Sequence, residues 1–266
     1  MNLFYREFGT GDPLIILHGL YGSSDNWVSI AHALEAYYRV ILVDQRNHGQ
    51  SPHSNDHNYK LLSNDLKDFC DKLCLHKVIL IGHSMGGKTA MQFAADYPER
   101  VKSLIVVDIA PWEHLDNLTS LGILNEHKQI INALSTIPLN SLSTRNQADE
   151  LLSKVVQQIH IRQFLLKNLK REIDGTFSWK LNLTAISNNI EYLMDGVAFD
   201  STKDKSTIRT LFIKGEKSNY IPLDKADNLK LFFPNSELVV ISDTGHWVHA
   251  EKPKEFLNAV LRFLKR

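Results

Sequence analysis

A serine between two glycines, Gly82-x-Ser84-x-Gly86, is the feature of this sequence most able to do chemistry. An apolar run, residues 78–81, stops at the first glycine, and helix-forming residues follow the serine almost at once. This order is typical of a nucleophile elbow, in which small flanking residues make room for a strained serine. The turn places the hydroxyl above a helix N-terminus, where backbone N–H groups and the helix dipole favour developing negative charge. Ser84 is therefore the candidate nucleophile.

The same stretch also fits a phosphate-binding loop. Residues 82–89 match the pattern G-x-x-x-x-G-K-[ST], and Asp108 ends the next apolar run, where it could hold a magnesium ion. A third interpretation is a plain glycine-rich turn between a buried strand and a helix. Acyl transfer needs a late histidine, an acid and an early oxyanion loop, whereas a nucleotide site needs none of these. The rest of the chain contains candidates for the histidine, the acid and the oxyanion loop, and this favours hydrolysis over nucleotide binding.

A serine becomes a good nucleophile only when a base takes its proton and an acid orients that base. His246 follows the last predicted strand and a glycine, so we expect it at the same carboxyl edge of the sheet as Ser84. His249, near the beginning of the last helix, is the alternative base. The chain order Ser…Asp…His leaves four candidates for the acid, Asp108, Glu216, Asp224 and Asp243.

The oxyanion donors are predicted from a second glycine-bearing loop. His18 and Gly19 directly follow a continuous apolar run, residues 14–17. A loop in this position can present a backbone N–H group to an oxyanion, as can the residue after the nucleophile. The predicted pair of donors is therefore the N–H groups of Leu20 and Met85, with His18 and Gly19 as supporting residues.

The elements that must position these residues follow a strand–helix rhythm. Apolar strands are predicted at 14–17, 39–43, 78–81, 101–107, 208–214 and 237–241, preceded by a short strand at 3–8. This alternation predicts an α/β fold with a mostly parallel, doubly wound sheet. Residues 113–205 break the rhythm, because they contain helical segments and no convincing strand. They are predicted to form an inserted helical cap on a core of residues 1–112 and 206–266.

Composition excludes several function classes. The 266 residues contain 30 Lys and Arg and 30 Asp and Glu, so nothing favours nucleic acid or an anionic membrane as a partner. The N-terminus does not read as a signal peptide, and no apolar run approaches the length of a membrane span. Cys70 and Cys74 lie one helical turn apart and are expected to be reduced thiols. A cytoplasmic protein is predicted, and its oligomeric state is left open.

Four motifs together resemble those of the α/β-hydrolase superfamily, and more narrowly those of the YbfF-type bacterial esterases. They are His-Gly at 18–19, the loop DxRNHGxS at 44–51, the elbow GHSMGGK at 82–88, and Gly-His at 245–246. The resemblance covers nearly the whole chain, and the Arg-Asn-His-Gly loop and the elbow are its specific parts. Within the loop, Asp44 and Arg46 are expected to pair and to hold its shape.

The resemblance implies the α/β-hydrolase fold, a lid formed by the helical cap, and no metal or organic cofactor. It also bears on the acid, because most members carry it where this chain has Ser218, and a serine cannot neutralise an imidazolium. The YbfF-type resemblance implies Asp108 as the acid, and Glu216 is the runner-up. Ser218 is expected to add a hydrogen bond near the histidine or the acid.

The predicted function is that of a serine hydrolase cleaving carboxylic esters through Ser84, His246 and Asp108 and an acyl-enzyme intermediate. The resemblance implies small-molecule substrates, esters or acyl-CoA thioesters of fatty-acyl type. Two alternatives come from other classes: a binding protein of the same fold with little or no turnover, and a nucleotide-binding protein that uses the phosphate-loop pattern.

Overall fold

The computed structural model describes residues 1–112, 118–199 and 208–265. The limits predicted for the helical cap, residues 113, 205 and 206, lie outside the described residues. The predicted first residue of the first cap helix, residue 117, lies outside them as well.

The centre of the fold is a seven-stranded sheet in the order β1-β3-β2-β4-β5-β8-β9. The strands are β1 Tyr5–Phe8, β2 Pro13–Leu17, β3 Arg39–Val43, β4 Val78–His83, β5 Val101–Val107, β6 Leu169–Arg171, β7 Phe177–Trp179, β8 Thr210–Gly215 and β9 Ser236–Ile241. Only β1 runs antiparallel within this sheet, pairing with β3, and the other neighbours are parallel. The mostly parallel sheet predicted from the strand rhythm is confirmed.

Helices cover both faces of the sheet. They are α1 Val28–Leu34, α2 Tyr59–Lys72, α3 Met85–Asp96, α4 Leu118–Ser135, α5 Arg145–Ser153, α6 Ile159–Leu166, α7 Leu183–Met194, α8 Leu229–Phe232, α9 Val248–Glu251 and α10 Pro253–Leu264. One face packs against α2 and α3, and the other against α1 and α10. Double coverage explains why the central strands carry continuous apolar runs instead of alternating. In the described parts of the chain, no helix is both long and apolar enough to cross a membrane.

The chain between β5 and β8 differs from its prediction in one respect. It contains α4 to α7, as expected, but also the antiparallel hairpin of β6 and β7. The hairpin turns at Gly175, whose φ of 87° suits glycine, beside an Asp174 carboxylate that accepts the Thr176 N–H at 3.0 Å. The prediction of no strand in this segment was wrong because three-residue strands are too short to show a period of two.

Lys88 joins this segment to the helix that follows Ser84. It is buried in α3, and its ammonium group donates hydrogen bonds to the carbonyls of Met194, at 3.2 Å, and Asp195. The Tyr59 hydroxyl donates to the carbonyl of Leu193 at 2.7 Å. The C-terminal end of α7 is thereby fixed against α2 and α3. Because its ammonium group is bound to backbone carbonyls, Lys88 does not act here as the lysine of a phosphate-binding loop.

Lys88→Met is expected to lower the free energy of unfolding by about 1–3 kcal/mol, because it removes the lysine donor from the buried carbonyl of Met194 and the partly buried carbonyl of Asp195. The measurement is urea unfolding followed by tryptophan fluorescence. Lys102→Met is the matched control, since Lys102 is exposed and pairs with exposed Asp12. That control is expected to cost less than about 1 kcal/mol. Equal costs for the two variants would contradict the anchoring role of Lys88.

Candidate active site

Ser84 occupies a strained turn between β4 and α3. Its backbone lies at φ 52° and ψ −118°, in a region that L-residues rarely adopt. A Cβ at Gly82 would overlap the carbonyl of Gly86, and one at Gly86 would overlap two carbonyls at the end of β2. The turn therefore requires glycine at both positions where the elbow pattern has it. Ser84 immediately precedes the first turn of α3, whose N–H groups have no acceptor within the helix.

Asp108 follows β5 and is completely buried, also with a positive φ of 52°. Its Oδ2 accepts a hydrogen bond from Nδ1 of His246 at 2.7 Å and another from the hydroxyl of Ser218. Its Oδ1 accepts the N–H of Gly215 at 2.9 Å. Three donors, two from the end of β8 and the loop after it and one from the loop after β9, thus satisfy one buried carboxylate and fix its orientation. The structure brings together the candidate acid, the candidate base and the candidate supporting serine that the sequence singled out.

The other acid candidates lie elsewhere. Glu216 is exposed, and its Oε2 accepts the N–H of Asp243 at 2.9 Å. Asp243 is exposed and pairs with Lys217 at 3.1 Å, and Asp224 is exposed as well. Of the four candidates, Asp108 is the one that is both buried and bonded to a histidine.

His249, the alternative base, is held in a different environment. Its ring stacks on that of Trp27 with 3.9 Å between centroids, and its Nδ1 has no hydrogen-bond partner among the described residues. Burial, together with the neighbouring charges of His246 and Lys167, lowers the pKa of His249 to about 3. No carboxylate in the described structure orients this ring, so His246 remains the base that the geometry favours.

The His246 ring is held by two further contacts. The ring of Tyr220 stacks on it with 4.0 Å between centroids and 22° between planes. Nε2 of His83 donates to the backbone carbonyl of His246 at 2.9 Å. Burial holds the pKa of His83 well below its usual value, so its ring stays neutral. Ser84 and His246 line one cavity, and no hydrogen bond joins them within the described residues.

The predicted oxyanion loop follows β2. Nε2 of His18 accepts the N–H of Gln45 at 3.0 Å, which leaves Nδ1 to donate to the Gly19 carbonyl at 2.9 Å. Burial lowers the pKa of His18 and favours this neutral tautomer. A Cβ at Gly19 would lie 2.8 Å from Nδ1 of His83, so the loop needs glycine to approach the elbow. The next residue of this loop is Leu20.

The two candidate donors, the N–H groups of Leu20 and Met85, form no hydrogen bonds within the part of the chain that the structure describes. Both residues line a small cavity beside Ser84. Buried N–H groups are nearly always paired in folded proteins. Two free donors beside a strained serine are therefore suited to receive an oxygen atom that carries negative charge.

The Arg-Asn-His-Gly loop is structural, but its ion pair differs from the predicted one. Asp44 accepts the N–H groups of Ser24 and Gln50 at 2.6 and 2.9 Å, whereas Arg46 pairs with buried Asp65 of α2 at 2.6 Å. The predicted Asp44–Arg46 pair was wrong, because Asp44 is bonded to backbone N–H groups and Arg46 to a carboxylate of α2.

The same loop supports the oxyanion loop. Nε2 of His48 accepts the N–H of Tyr21 at 3.3 Å, and its Nδ1 donates to the Arg46 carbonyl at 2.9 Å. Tyr21 has a positive φ of 62°, which requires this kind of support in a non-glycine residue. The loop at residues 44–51 thereby fixes the backbone one residue after Leu20.

The sequence patterns did not predict several of the residues that line the cavity. The cavity shared by Ser84 and His246 has a volume of about 200 Å³, and its walls include Tyr220 and His127. Nδ1 of His127 lies 3.2 Å from the hydroxyl of Tyr21, and burial lowers the pKa of His127 to about 4. Tyr220 lies two residues after Ser218, so the loop after β8 gave a local signal for it. His127 is in α4, where the helical pattern gave none.

Comparison with known proteins agrees with this geometry. The sequence model of a family described as having the alpha/beta hydrolase fold matches residues 12–253. The chain is 39% identical over 275 residues to the sn-1-specific diacylglycerol lipase ABHD11 of Danio rerio, with 100% of this chain and 83% of that protein covered. It is 33% identical over 252 residues to esterase YbfF of Escherichia coli K12, covering 95% and 92%.

A solved structure of an esterase from a marine microorganism is also similar, with a TM-score of 0.93, 46% identity and 98% of each chain covered. These relatives confirm the fold class and the resemblance to esterases that the four motifs predicted. The chain belongs to the α/β-hydrolase family.

Proposed function

We propose that the protein is a serine hydrolase that cleaves carboxylic esters, with Ser84 as nucleophile, His246 as base and Asp108 as acid. The observation that carries the proposal is the 2.7 Å hydrogen bond from His246 Nδ1 to buried Asp108, beside a cavity that Ser84 and His246 share. A neutral serine needs this kind of base, and the base needs an acid that fixes its tautomer.

The proposed reaction has two steps. The Ser84 oxygen attacks the acyl carbon, and His246 takes the hydroxyl proton and passes it to the leaving oxygen as the ester bond breaks. Water then attacks the acyl carbon while His246 takes a proton from it; the bond to the Ser84 oxygen breaks, His246 returns the proton to that oxygen, and the carboxylic acid leaves. The N–H groups of Leu20 and Met85 would hold the oxyanion, and losing one such donor typically costs about 3 kcal/mol of transition-state stabilisation.

Ser218 takes a supporting part in this proposal. Its hydroxyl donates to the same Asp108 oxygen that receives the His246 bond. A serine at this position thus holds the acid in place instead of supplying it. Asp108 follows β5 and its carboxylate is bonded to His246. The carboxylate of Glu216, the runner-up, instead accepts the N–H of Asp243.

The substrate class rests on the relatives and on the apolar surroundings of the cavity. Relatives named esterase and diacylglycerol lipase favour esters, and acyl-CoA thioesters remain a second substrate class under the proposal. Residues of α4 and α6, two helices of the segment predicted as 113–205, line the cavity, which supports a lid role for that segment. No metal or organic cofactor enters the proposed reaction. The cytoplasmic location stays a prediction from the sequence.

The first test combines covalent labelling with turnover. We expect a small fluorophosphonate to add one label to the folded protein, with peptide mapping placing it on Ser84. The rate of p-nitrophenyl acetate hydrolysis should fall in proportion to the labelled fraction, because one serine performs the chemistry. Protein unfolded in urea is the control and should not label.

Full turnover after complete labelling, or a label on another residue, would contradict the assignment of Ser84. A protein that neither labels nor turns over any ester would favour the alternative of a binding protein of this fold.

A further inference from the structure

Two unequal cavities lined by described residues adjoin Ser84. The larger, of about 200 Å³, is lined by His246 and Trp247. The smaller, of about 20 Å³, is lined by Met85 and Met194 and does not include His246. Four residues, Ser84 and Leu20 among them, line both cavities, so an ester carbonyl at Ser84 would adjoin both of them.

The chemistry assigns a part of the ester to each cavity, and this step rests on the proposed function. His246 must deliver a proton to the leaving oxygen, so the alcohol part lies in the larger cavity beside His246. The carbonyl oxygen points to the N–H groups of Leu20 and Met85. Of the two cavities lined by described residues, the acyl chain then takes the smaller one.

A volume of about 20 Å³ holds little more than one water-sized group, since one such sphere needs about 10–15 Å³. An acetyl group places only a methyl group there. An octanoyl group places seven carbons there, and most of them have no room among the described walls.

The walls of the smaller cavity are fixed rather than soft. Leu193 and Met194 are buried, and their backbone carbonyls accept hydrogen bonds from Tyr59 and Lys88 at 2.7 and 3.2 Å. Ile109, on the opposite wall, is 5% exposed and lies against the elbow, because a Cβ at Gly87 would come within 2.6 Å of its side chain. Close-packed walls of this kind cannot move apart to admit several methylene groups without strain.

The leaving-group side is open by contrast. A surface groove of about 660 Å³ shares His246, Trp247 and Phe164 with the larger cavity. An alcohol part that is too long for the larger cavity can therefore continue past Trp247 toward solvent.

From this asymmetry we propose that the enzyme prefers esters of a very short acyl group, acetyl above all, with a larger alcohol part. Hydrolysis then releases acetate and the alcohol, with water supplying one hydrogen atom and one hydroxyl group. This differs from the fatty-acyl substrates that the family resemblance implied.

The test is a chain-length series of p-nitrophenyl acetate, butyrate and octanoate, each below its micellar concentration. We expect kcat/KM for the acetate to exceed that for the octanoate at least 100-fold in the wild type. Met194→Ala enlarges the acyl side and should reduce this ratio at least tenfold. Its backbone carbonyl stays in place for Lys88.

Ile130→Ala is the matched control, because Ile130 is a buried wall residue of the larger cavity only. It removes side-chain volume from the leaving-group side, so the acetate-to-octanoate ratio should stay within about threefold of the wild type. Leu193→Ala serves in place of Met194→Ala if that variant fails to fold, and the wild-type series stands without either.

The outcomes separate this inference from the proposed function. Octanoate hydrolysed as well as acetate, or a ratio reduced by Ile130→Ala and not by Met194→Ala, would overturn the acyl-size inference while the hydrolase stands. A protein that hydrolyses none of the esters and takes no fluorophosphonate label would overturn both.

Discussion

Replacing Asp108 by asparagine is expected to lower kcat for p-nitrophenyl acetate about 10⁴-fold at pH 7.5. Asparagine keeps the shape of the side chain but removes the charge that stabilises a protonated His246. It also turns one Asp108 oxygen into an amide donor, which faces either the Ser218 hydroxyl together with His246 Nδ1 or the N–H of Gly215. Ser84→Ala should leave only the background rate. Because the three groups act as a unit, the double variant should be no worse than Ser84→Ala alone.

Glu216→Gln is the matched control for the charge change, since it neutralises the runner-up acid in an exposed loop. Its kcat should stay within about twofold of the wild type, because its carboxylate contacts only the backbone of Asp243 at 2.9 Å. Melting temperatures and circular dichroism show whether each variant is folded. A folded Asp108→Asn protein with near wild-type kcat would refute the assignment of Asp108 as the acid. A large loss of kcat in Glu216→Gln would indicate that Glu216 is the acid.

Acidification from pH 7.5 to 5 is expected to lower the free energy of unfolding by at least about 4 kcal/mol. Burial lowers the pKa of His57 and of His249 to about 3, whereas the unfolded value is about 6.5. Between these values the unfolded chain binds protons that the folded protein excludes, so stability is complete above pH 6.5 and falls below it. At pH 5 each group costs about 2 kcal/mol. Burial shifts His18, His48, His83 and His127 in the same direction.

The measurement is urea unfolding at pH 7.5, 6.5, 5.5 and 5.0. His249→Phe keeps a ring stacked on Trp27 but cannot titrate, so it should lose about 2 kcal/mol less than the wild type over this range. His76→Gln is the control, because His76 is exposed, and its pH dependence should match that of the wild type. If His249→Phe loses stability as steeply as the wild type, the buried neutral state of His249 is not a cause of the acid sensitivity.

Local patterns were enough to predict the elbow and the sheet. Gly82 and Gly86 mark the turn because any side chain there would meet backbone. The strands β2 to β5 carry continuous apolar runs because both faces of the sheet are covered. The candidate triad needed more than local patterns. Asp108 was singled out by the family resemblance, and its bond to His246 spans 138 residues.

Contacts between distant segments were beyond prediction from local signals. Arg46 pairs with Asp65 instead of Asp44, and Lys88 binds the carbonyls at the end of α7 instead of a phosphate. The β6–β7 hairpin was missed because its strands have only three residues each. For Arg46 and Lys88 the partner is set by packing between elements, which hydrophobic period and turn chemistry do not encode.

The positive φ values of Ser84 and Asp108 bear on how natural selection acts on this chain. A non-glycine residue in such a conformation costs of order 1–3 kcal/mol. A whole domain retains only about 5–15 kcal/mol of net stability. The backbone conformation alone therefore favours glycine at both positions. Serine at position 84 and aspartate at position 108 are retained by selection only while the benefit of their side chains exceeds the stability cost of their backbone conformation.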